Sequence, residues 1–157
     1  MTSGYLKEIY KDRPRDVRLM GLDIGKKTIG VALCDPMHSL ATPLQTIKRT
    51  KFTKDIKVLE GIIRDYEVGG YVLGLPINMD QSEGPRCQAV RDFAAEMRNH
   101  PDIFGNDPWI AFQDERFSTL AADSLVDGAV RKRKAKESGL TDKLAAQVIL
   151  QSALDSF

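Results

Sequence analysis

The sequence predicts one α/β domain, a mixed five-stranded sheet flanked by helices. Three observations carry this expectation. Three short apolar runs follow one another near the front of the chain, later apolar residues switch to spacings of three and four, and two more short apolar runs alternate with those helical stretches. An opening meander followed by alternating helices and strands builds a sheet of mixed direction with helices on its faces. At 157 residues, 42% of them hydrophobic, the chain can enclose one core without disulfides or a structural metal.

Each element follows from local chemistry. Residues 1–16 mix charges with isolated apolar side chains, and Pro14 stops any helix there, so they read as a flexible lead-in to a domain spanning 17–157. Val17 to Ile24 is almost continuously apolar and ends in Asp23-Ile24, as suits a buried strand. Gly25-Lys26-Lys27 forms a hairpin loop, and Thr28 to Cys34 returns as a second strand that Asp35-Pro36 ends. Ala41 to Ile47 is the third. Phe52, Ile56, Leu59, Ile63 and Tyr66 form the stripe of an amphipathic helix that Gly69-Gly70 is expected to stop. Tyr71 to Leu75 is the fourth strand, and Pro76 to Gly84 a polar loop. Pro85 suits the first turn of a helix with Val90, Phe93, Ala94 and Met97 inward. Pro101 and Pro108 bracket a loop before the fifth strand, Trp109 to Gln113. Ser118 or Thr119 can cap a short helix reaching about Asp127, and Thr141 or Asp142 can cap a last helix whose apolar face includes Ala145, Val148, Ile149 and Ser152.

Composition excludes several classes of protein. No stretch approaches the ~18 uninterrupted apolar residues of a membrane span, and no apolar signal-peptide core opens the chain, so a cytoplasmic location without a membrane partner is expected. Cys34 and Cys87 lack CxxC or Cys/His spacing and are expected to be reduced thiols. The formal net charge of +1 hides blocks of opposite sign. Five of the six residues Arg131 to Lys136 are basic, while Lys48, Arg49, Lys51, Lys54 and Lys57 form a second cluster. Between them, Asp102 to Asp127 holds six acidic residues against the single basic Arg116. An acidic pocket flanked by basic arms is what metal-dependent phosphodiester chemistry requires.

Asp23 is the most informative position. A carboxylate closing an apolar strand costs several kcal/mol unless something offsets the burial, on the order of a lost polar interaction or more. It either caps the hairpin through the amides of Gly25 or Lys26 or ligates a metal, with Gly25 letting a phosphate approach the backbone. Asp114 and Glu115 lie where the fifth strand runs out. By alternation Glu115 shares a face with Gln113 and is the better ligand, but strand ends twist and bulge, so Asp114 stays in play as a second-tier candidate. Arg116 beside them can pair with either at the surface. Asp142 either serves the last helix's N-terminus or joins the other acids. Such oxygen donors suit Mg²⁺ or Mn²⁺, and the absence of a Cys/His set argues against zinc. His38 and His100 sit beside loops with no nucleophile motif, and Trp109 reads as a packing residue.

Four blocks in order carry a family likeness: Leu22-Asp23-Ile24-Gly25 with Thr28-Ile29-Gly30-Val31-Ala32; Gly74-Leu75-Pro76-Ile77-Asn78-Met79-Asp80 with Ser82-Glu83-Gly84; Asp114-Glu115-Arg116; and Asp142-Lys143-Leu144-Ala145-Ala146. From about Val17 to Asp155 the chain closely resembles the YqgF (RuvX) family. The resemblance implies a ribonuclease H-like fold and a cytoplasmic, metal-dependent nuclease, either maturing the 5′ end of pre-16S ribosomal RNA or resolving Holliday junctions. It maps the acidic positions onto Asp23, Glu115 and Asp142 as catalytic metal ligands for Mg²⁺ or Mn²⁺, two ions being expected, ~4 Å apart and bridged by a carboxylate such as Asp23. Lys26, Arg86 and Arg116 would hold the nucleic-acid backbone, and Arg131, Lys132, Arg133 and Lys134 would clamp a flanking strand. Pre-rRNA is the favoured partner, with branched DNA second and ribosomal particles as further contacts. Ile77, Gln81 and Phe117-Ser118-Thr119 vary around the acids and bear on substrate preference. A sugar-kinase-like phosphotransferase shares the strand–DxG–strand opening but needs a second lobe that this chain has no length for. A non-catalytic RNA- or ribosome-associated module is the remaining alternative.

Overall fold

The computed structural model describes residues 3–78, 80–115 and 140–157. Among these residues the sheet has six strands, in the order β1-β6-β5-β2-β3-β4. β2 (Arg18–Ile24), β3 (Thr28–Cys34) and β4 (Ala41–Lys48) form the antiparallel meander at one side. β5 (Val68–Leu75) then pairs parallel to β2, and β6 (Trp109–Asp114) parallel to β5. The strand count corrects the expectation of five. The sixth, β1 (Ser3–Tyr5), comes from the stretch read as a lead-in and pairs parallel to β6. Three residues are too few for an alternation to be read in sequence, and this edge strand exists because β6 offers it a free row of backbone groups. A helical turn α1 (Leu6–Ile9) and a 3₁₀ turn (Tyr10–Asp12) follow, with Leu6 buried.

The strands sort the core into two faces. Met20, Leu22, Val31, Tyr71, Leu73, Ile110 and Phe112 point to one side and pack on α2 (Phe52–Tyr66), α3 (Pro85–Arg98) and α4 (Pro101–Phe104). The short α4 occupies part of the stretch expected as loop. Leu19, Ala32, Val72 and Ala111 point to the other side and pack on α5 (Leu140–Asp155). Each fully buried aliphatic side chain in these layers is worth about 1.5–3 kcal/mol relative to exposure.

Helix ends obey local rules with two departures from expectation. α2 begins without a side-chain cap at Lys51, and Asp55 compensates by accepting from the Thr50 amide and hydroxyl at 3.1 and 2.9 Å. It ends at Glu67, whose φ of 54° is left-handed, and not at Gly69-Gly70, which lie inside β5. Those glycines are there for closeness. A Cβ on Gly69 would run into Val17, and one on Gly70 would sit 2.8 Å from Leu19. The second departure is the seat of α5. Its sheet-facing residues are Ala146, Ile149, Leu150 and Ala153, a stripe rotated from the expected one, with Ala145 and Ser152 only partly buried. Leu144, Val148 and Leu154 make this helix apolar on several sides, so spacing alone could not choose the inward stripe.

α5 rests on missing side chains. A Cβ on Gly21 would lie 2.8 Å from Leu150 Cβ and 2.9 Å from the Ala146 carbonyl, and one on Gly30 would collide with the backbone of Asp142. Gly30→Ala is therefore expected to destabilise by about 1–3 kcal/mol, since helix backbone cannot swing aside as a side chain can. Gly61, in α2 with open space around it, gives the contrast. Gly61→Ala should stabilise by about 0.5–1 kcal/mol. Denaturant melts of the two variants check both signs.

Cys34 and Cys87 are buried free thiols, as expected. Among the described residues, no helix is long and apolar enough to cross a membrane.

Candidate active site

Asp23 stands on the α5 side of β2, two residues beyond Gly21, and is paired across the hairpin with Gly30. That pairing explains how Asp142 reaches it. The first turn of α5 lies directly over Gly30, and Thr28 Oγ1, at the start of β3, donates to Asp142 Oδ2 at 3.0 Å. Asp142 lies inside this first turn, where its charge also complements the helix dipole. Its negative charge acts on Asp23.

Glu115 arrives from the opposite side. Gln113 Nε2 donates to Ser152 Oγ of α5 at 2.9 Å, so Gln113 faces α5, and alternation brings Glu115 to that face. The Glu115 carboxyl passes over Gly74, where a Cβ would collide with it, and donates a hydrogen bond to Asp23. Asp114 turns the other way. It lines a groove of about 420 Å³ beside β1 with Tyr5, Ile77 and Phe112.

Asp23 and Glu115 thus share a proton. Burial, followed by the Asp23 charge, pushes Glu115 up to about 8 from an ordinary 4.5. Burial is also the main cause raising Asp23, with Asp142 adding to it. Arg86, at the start of α3, attracts both acids and partly offsets the effect. Two half-buried carboxyls with an all-oxygen donor set are what a hard divalent cation would relieve, and to hold one they must release the proton between them. Among the described residues, no three acidic, His or Cys side chains are gathered closely enough to hold a metal ion together. Asp23 and Glu115 are in direct contact, while Asp142 is tethered by Thr28.

The loop before α3 is held from within and from below. Ser82 donates to Asp80 Oδ1 through its amide at 2.9 Å, and Asn78 Nδ2 donates to Ser82 Oγ at 3.1 Å. Glu83 accepts both Arg91 donors, at 2.7 and 2.9 Å, and the Tyr5 hydroxyl at 2.5 Å. Arg91, then Tyr5, bring Glu83 down to about 2. A carboxyl lowered in the folded chain stabilises it above its ordinary value near 4.5, and the gain is lost as pH falls toward 2. At this partly exposed pair the effect should be about 1 kcal/mol or less. Glu83→Gln should flatten acid melts over that interval, and unchanged curves would contradict it.

Lys26 and Arg86 lie together at a small recess beside Gly25. Arg116, Arg131, Lys132, Arg133 and Lys134, and the helix expected to start at Ser118 or Thr119, lie outside the described residues. The histidines are structural, each bonding a backbone carbonyl: His38 Nε2 lies 2.8 Å from Val17 O, and His100 Nδ1 2.9 Å from Glu96 O. Trp109 is buried and donates to Ile9 O at 3.0 Å, a packing role. Sequence reasoning missed the part of Thr28 as the tether of Asp142 and that of Tyr5 and Arg91 beneath the loop. Contacts across 114 and 78 residues leave no trace in local spacing.

One antiparallel strand, β3, in an otherwise parallel sheet, with acids at two strand ends beneath a helix carrying a third, defines a ribonuclease H-like domain. The fold is shared with the fowlpox virus Holliday junction resolvase (TM-score 0.53, 11% identity, covering 90% of this chain and 100% of that one). It is shared also with Thermus thermophilus RuvC in complex with a Holliday junction (TM-score 0.51, 11% identity, covering 89% and 95%). The chain belongs to the RuvX family, described as Holliday junction resolvase, whose model matches residues 17–156. A relative from Rhodospirillum centenum is 50% identical over 96% of this chain and 79% of its own length. Another, from Paramagnetospirillum magneticum, is 48% identical over 95% and 92%. Both bear the name "Putative pre-16S rRNA nuclease".

Proposed function

We propose that this chain is a metal-dependent nuclease that hydrolyses phosphodiester bonds of pre-16S ribosomal RNA at its 5′ end, in the cytoplasm. The observation that carries the reading is the Asp23–Glu115 pair, two half-buried acids held in direct contact through a hydrogen bond, with the charge of Asp142 on α5 acting on Asp23. The names borne by relatives near 50% identity support the RNA substrate. Asp23, Glu115 and Asp142 would hold Mg²⁺ or Mn²⁺, two ions in the fuller form of the reading. Bound there, the metal supplies an activated water and charge stabilisation for the leaving oxygen.

The protein's own groups do the rest. Thr28 fixes the Asp142 carboxylate, Gly25 leaves the backbone low enough for a phosphate to approach, and Arg86 balances charge between the acids and the strand. Lys26 and Arg116 would position flanking phosphates, and the basic run Arg131, Lys132, Arg133 and Lys134 would add affinity without sequence preference. Asp114, turned to the far side of β6, is left out of this centre.

The description of the matched family favours a second reading, cleavage of branched DNA. The two are separated by offering the protein an RNA spanning the mature 5′ end of 16S rRNA and a four-way DNA junction, each with Mg²⁺, Mn²⁺ or EDTA. RNA cleaved only with an ion supports the first reading, and preferential cutting of the junction supports the second. Binding without cleavage of either would favour a non-catalytic module and a role at ribosomal particles.

A further inference from the structure

We infer that the recess between the β2–β3 hairpin and the start of α3 is a seat for one backbone phosphate of a nucleic-acid strand, with Arg49 as its fixed anchor. This rests on the nuclease reading and adds to it a subsite that the acids themselves do not provide.

The recess holds about 150 Å³, and three cations, Lys26, Arg49 and Arg86, line it together with the compact Gly25, Pro85 and Ala89. Among the described residues, no carboxylate lines it. Arg49 differs from the other basic residues of its cluster in being held. Its amide donates to Lys27 O at 2.8 Å, fixing the end of β4 to the hairpin, and its Nη1 donates to Gly25 O at 2.7 Å. Its guanidinium carbon lies 5.7 Å from the Phe93 ring centre, and the residue is half-buried. A guanidinium carries five N–H donors in a rigid fork, so a group already oriented by one bond and one aromatic face has donors left for an anion and little freedom to lose.

Location supplies the identity of the anion. Gly25 is two residues from Asp23, and Arg86 acts on Asp23 and Glu115 while lining the recess. A free anion has no reason to sit beside a cluster of acids. A polyanion whose reacting phosphate is at those acids brings the next phosphate into this neighbourhood, where fixed positive charge offsets the repulsion.

The test is binding without cleavage. A fluorescent single-stranded RNA is titrated over a series of NaCl concentrations against the full chain carrying Asp23→Asn. Adding Arg49→Gln should weaken binding roughly tenfold and reduce the slope of log K against log salt by about 0.7, the share of one phosphate contact on a single strand. Ala89→Glu, which puts a negative charge on the recess wall and leaves the Arg49–Gly25 bond untouched, should weaken binding likewise and covers the case in which Arg49→Gln disturbs the hairpin. Lys57→Gln, the same loss of charge at an exposed position outside the recess, should have less effect than either. Parental affinity and slope in both recess variants would overturn the inference. Equal losses from Lys57→Gln would overturn it too, by showing a diffuse basic surface. Since cleavage is scored separately on the unsubstituted chain, absence of cleavage with an intact Arg49 effect would sink the nuclease reading alone.

Discussion

Asp23→Asn should abolish divalent-dependent cleavage and yet melt at a higher temperature than the parent protein. Loss of one electrostatic element from a hydrolytic site costs on the order of 10²–10³-fold. Here the loss should be at least that large, because Asp23 is the acid that both of the others act on or touch. Stability should move the other way. The carboxyl is raised chiefly by burial and further by Asp142, so the folded chain bears an unfavourable charge that an amide removes while keeping the shape. An amide can also still accept the hydrogen bond from Glu115. The measurement is paired: cleavage rate with Mg²⁺ and melting temperature in EDTA. Retained cleavage would remove Asp23 from the catalytic centre, and lower stability would mean that its charge is compensated in the fold.

The second large effect is on pH. In EDTA the protein should lose stability as pH rises from about 4.5 toward 8, the reverse of ordinary acid denaturation. Glu115 is raised from 4.5 to about 8 in the folded chain, so over that interval the folded state binds more protons than the unfolded one. Its contribution is fully present below the lower value and is lost as pH passes the upper one. One such group sets a limiting slope of about 1.4 kcal/mol per pH unit. Glu115→Gln should level the curve. Adding Mg²⁺ should raise the melting temperature far more at pH 8 than at pH 5, because at low pH the ion must displace the proton that the pair shares. Melts at three pH values, with and without the ion, decide the matter, and a flat EDTA profile would mean that the acids are not coupled as described.

The legibility of the site in the sequence was uneven, for physical reasons. Asp23 stood out because a charge closing an apolar strand is costly wherever the strand sits. Glu115 over Asp114 followed from alternation, and the structure places Glu115 against Asp23 with Asp114 on the opposite side of β6. Strands β2, β3, β4 and β6 and helices α2 and α3 fall within a residue or two of their expected bounds, since the strands are short apolar runs, the helices carry one apolar stripe, and each has a clear stop. The failures share a cause. β1 is specified by the edge it joins, the inward stripe of α5 by the glycines beneath it, and the length of β5 by side chains of its neighbours that need the room of Gly69 and Gly70. Arg49 is one of five cations clustered in the sequence, and what distinguishes it is its pair of hydrogen bonds to the hairpin, which local spacing does not reveal.

The three-residue strand at the chain's beginning matters beyond its size. Ser3–Tyr5 shields the backbone of Ile110–Phe112, and the Tyr5 hydroxyl ties that same strip to Glu83 in the loop before α3. The matched family region opens at residue 17, so trimming the chain to it would remove the strip and bare a hydrogen-bonding rim along β6. A shortened protein would be prone to self-association through that rim, and its loop would lose an anchor 78 residues away in sequence. Sluggish or sticky behaviour of such a fragment would then report on the missing strip and say nothing about the chemistry of the acids.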